Sequence, residues 1–175
     1  DIRIVFCDQS KAFDRVWHDG LIFKLKSIGI TGPLLEWLKD YLKERMQRIS
    51  VEGIFSLWEL IKAGVPQGSV LGPLLFIIFI NDIVENINSG IKLFADDTSL
   101  YITFDDDIVA SSHILNADLA KIKSWADKWL VNFNPIKTKS LYVSLKKKRI
   151  KNIPPLYFDG QVLENVDSHK HLGLE

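Results

Sequence analysis

The chain has 175 residues, 47% of them hydrophobic, a size and composition that favour one globular domain with a sizeable core. Its 22 basic and 22 acidic residues cancel, so net charge gives no global sign of nucleic-acid binding, although a local patch would suffice. The single cysteine, Cys7, excludes a disulfide framework within the chain and fits a reducing compartment.

The chain opens on IRIVFCD, a short run rich in β-branched residues that ends on Asp8 and reads as a buried strand. LIFKLKSIG has helical spacing and closes on Gly29, a helix C-cap. GPLLEWLKDYLKERM carries a proline in its first turn and sets Leu34, Leu35, Leu38 and Leu42 on one face, which predicts an amphipathic helix. QRISVEGIFSLWELIKAG alternates polar and apolar positions around Gly53, the pattern of a hairpin. The apolar run from Val70 to Ile80 contains Gly72 and Pro73. A membrane span needs ~20 apolar residues, so this run is expected to be a buried helix.

IKLFADDTSLYITF gives two strand-like runs with Asp96 and Asp97 at the turn between them. Helical periodicity returns from Asp107 to about Val131, with Ile114, Leu115, Leu119, Ile122, Trp125 and Trp129 on or near one stripe. SLYVSL and PLYFDGQVLENV follow as strands, the second folded at an Asp-Gly turn. Between them lies a basic run, Lys146, Lys147, Lys148, Arg149 and Lys151, whose ordinary reading is a solvated loop. Mixed elements without regular βαβ alternation predict an α+β fold. Both ends break off in mid-pattern and are read as cuts through a longer protein.

The carboxylates carry the chemistry. Asp8 alone reads equally as a turn or cap residue, and Asp96-Asp97 as plain turn chemistry. A strand-end carboxylate and a hairpin-tip pair can converge if their strands are neighbours in one sheet. Three clustered carboxylates repel one another, and hard cations such as Mg²⁺ relieve that repulsion.

Three stretches, VFCDQSKAFDRVWHDGL, AGVPQGSVLGPLLF and LFADDTSLY, resemble in that order motifs A, B and C of reverse transcriptases, in particular those of eukaryotic non-LTR (LINE-type) retrotransposons of the jockey-like group. WADKWLVNFNPIKTKSLYVS is similar to motif D and SHKHLGLE to the start of motif E, so the resemblance covers nearly the whole chain. It implies a polymerase palm over residues 1–175, a small antiparallel sheet backed by helices, without complete fingers or thumb. It implies an RNA-directed DNA polymerase with an RNA template, a DNA primer and dNTPs as partners, no membrane, an intracellular setting in cytoplasm and nucleus, and two Mg²⁺ ions, with Mn²⁺ as a substitute; without fingers and thumb, these 175 residues alone are expected to be inactive or weak.

Carried over by position, the resemblance makes Asp8, Asp96 and Asp97 the metal ligands. It makes Phe13 the aromatic under the incoming sugar and Gln67 the residue packed on the nucleotide. Gly68, with Pro66, becomes the turn that lets backbone approach substrate, Lys137 a proton donor to pyrophosphate, and His171 to Gly173 the hairpin that holds the primer end. The alternatives are a folded but catalytically inactive, decayed or co-opted element fragment, and a cation-binding structural domain with no nucleotide pocket.

Overall fold

The computed structural model describes residues 1–144 and 152–173; the basic run at 146–151 lies outside them. The chain divides into two compact units, residues 1–10 with 82–175, and residues 11–81.

The first unit is built on a five-stranded sheet. Strand β1 (Ile2–Cys7) lies between β7 (Asp97–Thr103) and β8 (Lys139–Val143), with β6 (Gly90–Phe94) and β11 (Glu164–Val166) at the edges. All neighbours are antiparallel except β8 and β11, which run parallel, so the expected antiparallel sheet is in fact mixed. A return from β8 to its own flank in the same direction needs a long connection between Val143 and Glu164.

Alternation along β1 buries Arg3, Val5 and Cys7 on one face and leaves Ile2, Ile4 and Phe6 half-buried on the other. Helix α4 (Ile108–Trp129) packs against β7 and against β9 (Tyr157–Phe158). The Asp107 side chain caps α4 by accepting from the Ala110 amide at 2.8 Å, and Leu130 ends it at φ +58°. The predicted stripe of α4 is buried at Leu115, Leu119, Ile122 and Trp129, with Ile114 and Trp125 half-buried at its margins.

Arg3 reaches from β1 to the Ser112 hydroxyl at 2.5 Å and to the Pro154 carbonyl at 2.7 Å, and burial lowers its guanidinium pKa to about 10. Asp118 of α4 is fully buried. It accepts from the amides of Asn88 and Ser89 at 3.0 and 2.7 Å and from Lys121 at 2.8 Å, pinning the loop that enters β6. The Asp159-Gly160 turn joins β9 to β10 (Gln161–Val162), with both turn residues at positive φ.

The second unit is helical with one long hairpin. Helix α1 (His18–Ser27) packs on α2 (Gly32–Leu42) and α3 (Leu71–Ile80). Gly29 follows α1 at φ +92°, as its cap role requires. Leu35, Leu38 and Leu42 form the buried stripe of α2, while Leu34 is exposed. At 100° per residue Leu34 falls on the edge of that stripe rather than its centre.

Helix α3 buries Leu75, Phe76, Phe79 and Ile80 but exposes Leu74 and Ile77, so only one side of the apolar run is core. Among the described residues no helix is long and apolar enough to cross a membrane. The hairpin pairs β2 (Met46–Gln47) with β5 (Glu59–Leu60) and β3 (Ser50–Val51) with β4 (Ile54–Phe55) about Glu52-Gly53. The alternating pattern predicted this hairpin, yet all four strands are exposed, so here it does not mark a face buried against this unit.

Candidate active site

Register places the first carboxylates. β1 and β7 pair Phe6 with Ser99 and Cys7 with Thr98, so the next cross-strand position sets Asp8 beside Asp97 at the end of the ladder. Asp8 shares the Phe6 face because side chains repeat every second residue. Both aspartates line one small cavity of about 70 Å³ together with Phe6, Lys137, His169 and His171.

Asp96 does not line that cavity. It occupies the two-residue turn with Ala95, whose φ is +51°, a conformation disfavoured for a residue with a Cβ. Among the described residues no three His, Cys, Asp or Glu side chains are grouped to hold one metal ion. Two hard carboxylates on one cavity nevertheless suit Mg²⁺, which takes one or two protein carboxylates and completes its shell with water and phosphate oxygens.

Lys137 arrives by a separate device. The Asn134 side chain accepts from the amides of Ile136 and Lys137 at 3.0 and 3.3 Å, an Asx-type turn that curls the NPIKT segment back on itself. Thr138, fully buried, donates its hydroxyl to the Asn134 carbonyl at 2.9 Å and accepts from the Asp8 amide at 3.2 Å. The Asn134 amide in turn donates to the Asp8 carbonyl at 2.8 Å. Thr138 and Asn134 therefore fasten Lys137 to Asp8, the residue that follows β1. Neither stands out in the sequence except through the pattern that singled out Lys137.

The imidazole of His169 stacks on Phe6 with ring centres 4.2 Å apart, and His171 lies 5.0 Å from the same ring. Burial lowers the His169 pKa, His171 and Lys139 lower it further, and Asp97 opposes them. Burial pushes the Cys7 thiol up to about 12, so Cys7 is a core residue rather than a nucleophile. His171 to Gly173 sit at the border of the described residues.

The remaining predicted residues belong to the second unit. Phe13, in a short 3-10 turn (Phe13–Arg15), is half-buried and stacks on Phe76 with ring centres 4.5 Å apart. Its carbonyl accepts from the Val65 amide at 2.8 Å, and the exposed Gln67 donates to Asp14 at 2.8 Å, so Phe13 and the PQG loop are joined by two bonds. Asp14 is a partner the sequence reading missed; its place directly after Phe13 was the available signal.

Two glycines permit the loop. A Cβ on Gly64 would meet the Asp14 carbonyl at 2.8 Å, and one on Gly72 would meet the Pro66 carbonyl at 2.3 Å. Gly68 sits at φ +79°. Ser69 locks the turn onto α3, donating to the Pro66 carbonyl at 2.7 Å and accepting from the Gly72 amide at 2.9 Å. Gln67 also lines a cavity of about 700 Å³ with Lys11, Arg15, Arg45 and Gly64.

Residues 2–175 match the family model for reverse transcriptase (RNA-dependent DNA polymerase), and the chain belongs to that family. It is 35% identical over 179 residues to the probable RNA-directed DNA polymerase from transposon BS of Drosophila melanogaster, covering 97% of this chain and 19% of that protein. It is 34% identical over 177 residues to the RNA-directed DNA polymerase from mobile element jockey of the same species, with the same coverage. The jockey-like resemblance read from the motifs is thus borne out, and the chain spans 19% of the length of these relatives.

Solved telomerases share the fold. A Candida albicans telomerase, in complex with a fragment of telomeric RNA, gives a TM-score of 0.59 at 18% identity, covering 94% of this chain and 29% of that one. An apo telomerase from Candida tropicalis gives 0.55 at 15% identity, covering 99% and 35%.

Proposed function

We propose that this chain is the palm of a mobile-element reverse transcriptase that extends a DNA primer on an RNA template. The observation that carries the reading is the cavity at the end of β1 and β7, where Asp8, Asp97 and Lys137 meet in a chain of this family. Asp8 and Asp97 hold the catalytic cation site, and Asp96 is kept as the third carboxylate on the strength of the motif it shares with Asp97. When bound, two Mg²⁺ ions lower the pKa of the primer 3′-hydroxyl and neutralise charge on the triphosphate.

The 3′-oxygen forms a bond to the α-phosphorus of a dNTP, and the bond from that phosphorus to pyrophosphate breaks. The hydroxyl proton leaves to water, and Lys137 donates a proton to the departing pyrophosphate. Gln67 packs on the incoming nucleotide, held in place by Asp14, and Gly68 gives its backbone room. Phe13 lies under the sugar and excludes a 2′-hydroxyl. The reaction belongs in the cytoplasm and nucleus, where RNA template, DNA and dNTPs are available and a lone cysteine stays reduced.

Primer extension on an RNA template with Mg²⁺ or Mn²⁺ tests the assignment. Asp8→Asn, and separately Asp96→Asn with Asp97→Asn, should each cut single-nucleotide incorporation by about 10²-fold or more, the scale of losing a charge-stabilising group in a transition state. Mg²⁺ should also raise the melting temperature of the unsubstituted protein and not that of the variants, because only a state that binds the ion is stabilised by it. Full activity in the doubly substituted protein would remove the metal mechanism.

A further inference from the structure

The hairpin from Met46 to Leu60 presents two unlike faces. Ser50 is paired with Phe55 and Val51 with Ile54, so the members of each pair share a face and the two pairs face opposite ways. On the Phe55 side the Arg48 guanidinium lies 3.9 Å from the Phe55 ring centre and 4.6 Å from that of Trp58. Phe55 and Trp58 are nevertheless 53% and 56% exposed. The opposite side carries aliphatic Val51 and Ile54, also exposed. Close by in sequence, Arg45 lies 5.6 Å over the Tyr41 ring and lines the 700 Å³ cavity with Lys11 and Arg15, against one carboxylate, Asp14.

We infer that the Arg48, Phe55 and Trp58 face is a stacking platform for unpaired template RNA. The inference rests on the polymerase reading above and adds a binding site to it. Aromatic rings and guanidinium planes bind bases through their π-faces, largely without regard to sequence. The cations of the neighbouring cavity supply the matching charge for the strand's phosphates. Arginine and aromatic residues are also common at protein interfaces, so the choice of RNA rests on the cations of the adjoining cavity, Lys11, Arg15 and Arg45, which match a strand's phosphates. The aliphatic Val51 and Ile54 face is the better candidate for a protein partner, and it serves as the internal control.

The experiment measures fluorescence anisotropy of a labelled single-stranded RNA 20-mer, beside a blunt RNA–DNA duplex of the same length, with folding checked by circular dichroism. Phe55→Ala with Trp58→Ala should weaken single-strand binding by about tenfold or more, the scale of losing one stacked base, and change duplex binding far less. Arg48→Glu should do the same, and Ile54→Ser should leave both unchanged. In primer extension, the paired aromatic variant should add one nucleotide normally to a template with a one-base overhang and fall behind as the overhang lengthens. Unchanged single-strand binding in folded aromatic variants overturns the inference, as does an equal loss in Ile54→Ser, which would mark the hairpin as a protein contact. A chain carrying its flanking fingers and thumb that binds RNA through this face but never extends a primer would sink the polymerase reading and leave the platform standing.

Discussion

Thr138 is the residue through which the candidate site depends on the fold. Its hydroxyl makes two bonds, one from the Asp8 amide and one to the Asn134 carbonyl, and the side chain is fully buried. Thr138→Val keeps shape and volume and deletes both. Each bond contributes about 1 kcal/mol net, and a buried group left unpaired costs about 1–3 kcal/mol. The Asp8 amide is part-buried and the Asn134 carbonyl keeps its bond from the Thr138 amide at 2.9 Å, so the expected loss is about 2 kcal/mol. For a chain of this size that is a fall in Tm of about 4–8 °C. Activity should fall further than stability accounts for, because the deleted bonds set where Asp8 and Lys137 stand. A shift of about 1 Å in such groups can cost 10²-fold in rate. Thermal melting by circular dichroism, with single-turnover nucleotide incorporation below the melt, separates the two effects. KM for dNTP should change little, and Thr138→Ser should restore most of both quantities. A Thr138→Val protein that melts and polymerises like its parent would refute the claim that this hydroxyl positions the site.

Phe13→Val should raise ribonucleotide incorporation relative to deoxyribonucleotide by about tenfold or more, the scale on which a pocket discriminates by size, read from competitive primer extension; unchanged discrimination in a folded variant would end the sugar-filter role. Asp118 gives a pH signature. Burial opposes its ionisation, but Lys121, Ser89 and Asn88 outweigh that and lower its pKa below 3.8. A depressed carboxylate stabilises the fold above the unfolded pKa and loses that contribution as pH falls through the folded pKa. Acid melts below about pH 4 should therefore be less steep in Asp118→Asn, which at neutral pH should be destabilised by about 1–2 kcal/mol through weakened bonds from the Asn88 and Ser89 amides and from the partly exposed Lys121; parallel pH curves for the two proteins would contradict this.

The sequence by itself determined the elements and the family. The helices from His18, Gly32, Leu71 and Ile108, the Asp96 and Asp159 turns and the strand ending at Asp8 follow from local rules: apolar periodicity, capping residues and positive-φ turns. The ordered motifs around Asp8, Gln67 and Asp97 placed the chain among reverse transcriptases by resemblance, which the family match over residues 2–175 bears out. Tertiary structure decided what local rules do not encode. Pairing of β1 with β7 sets Asp8 beside Asp97 on one cavity, which Asp96, in the turn before β7, does not line. The parallel edge strand β11, the Thr138 clasp on Asp8 and the Asp14 bond to Gln67 are non-local in the same way. Their partners lie 25 to 130 positions apart. Periodicity in a sequence reports which side of an element is apolar; only the packed chain settles what that side meets, as the exposed hairpin at Met46 to Leu60 shows.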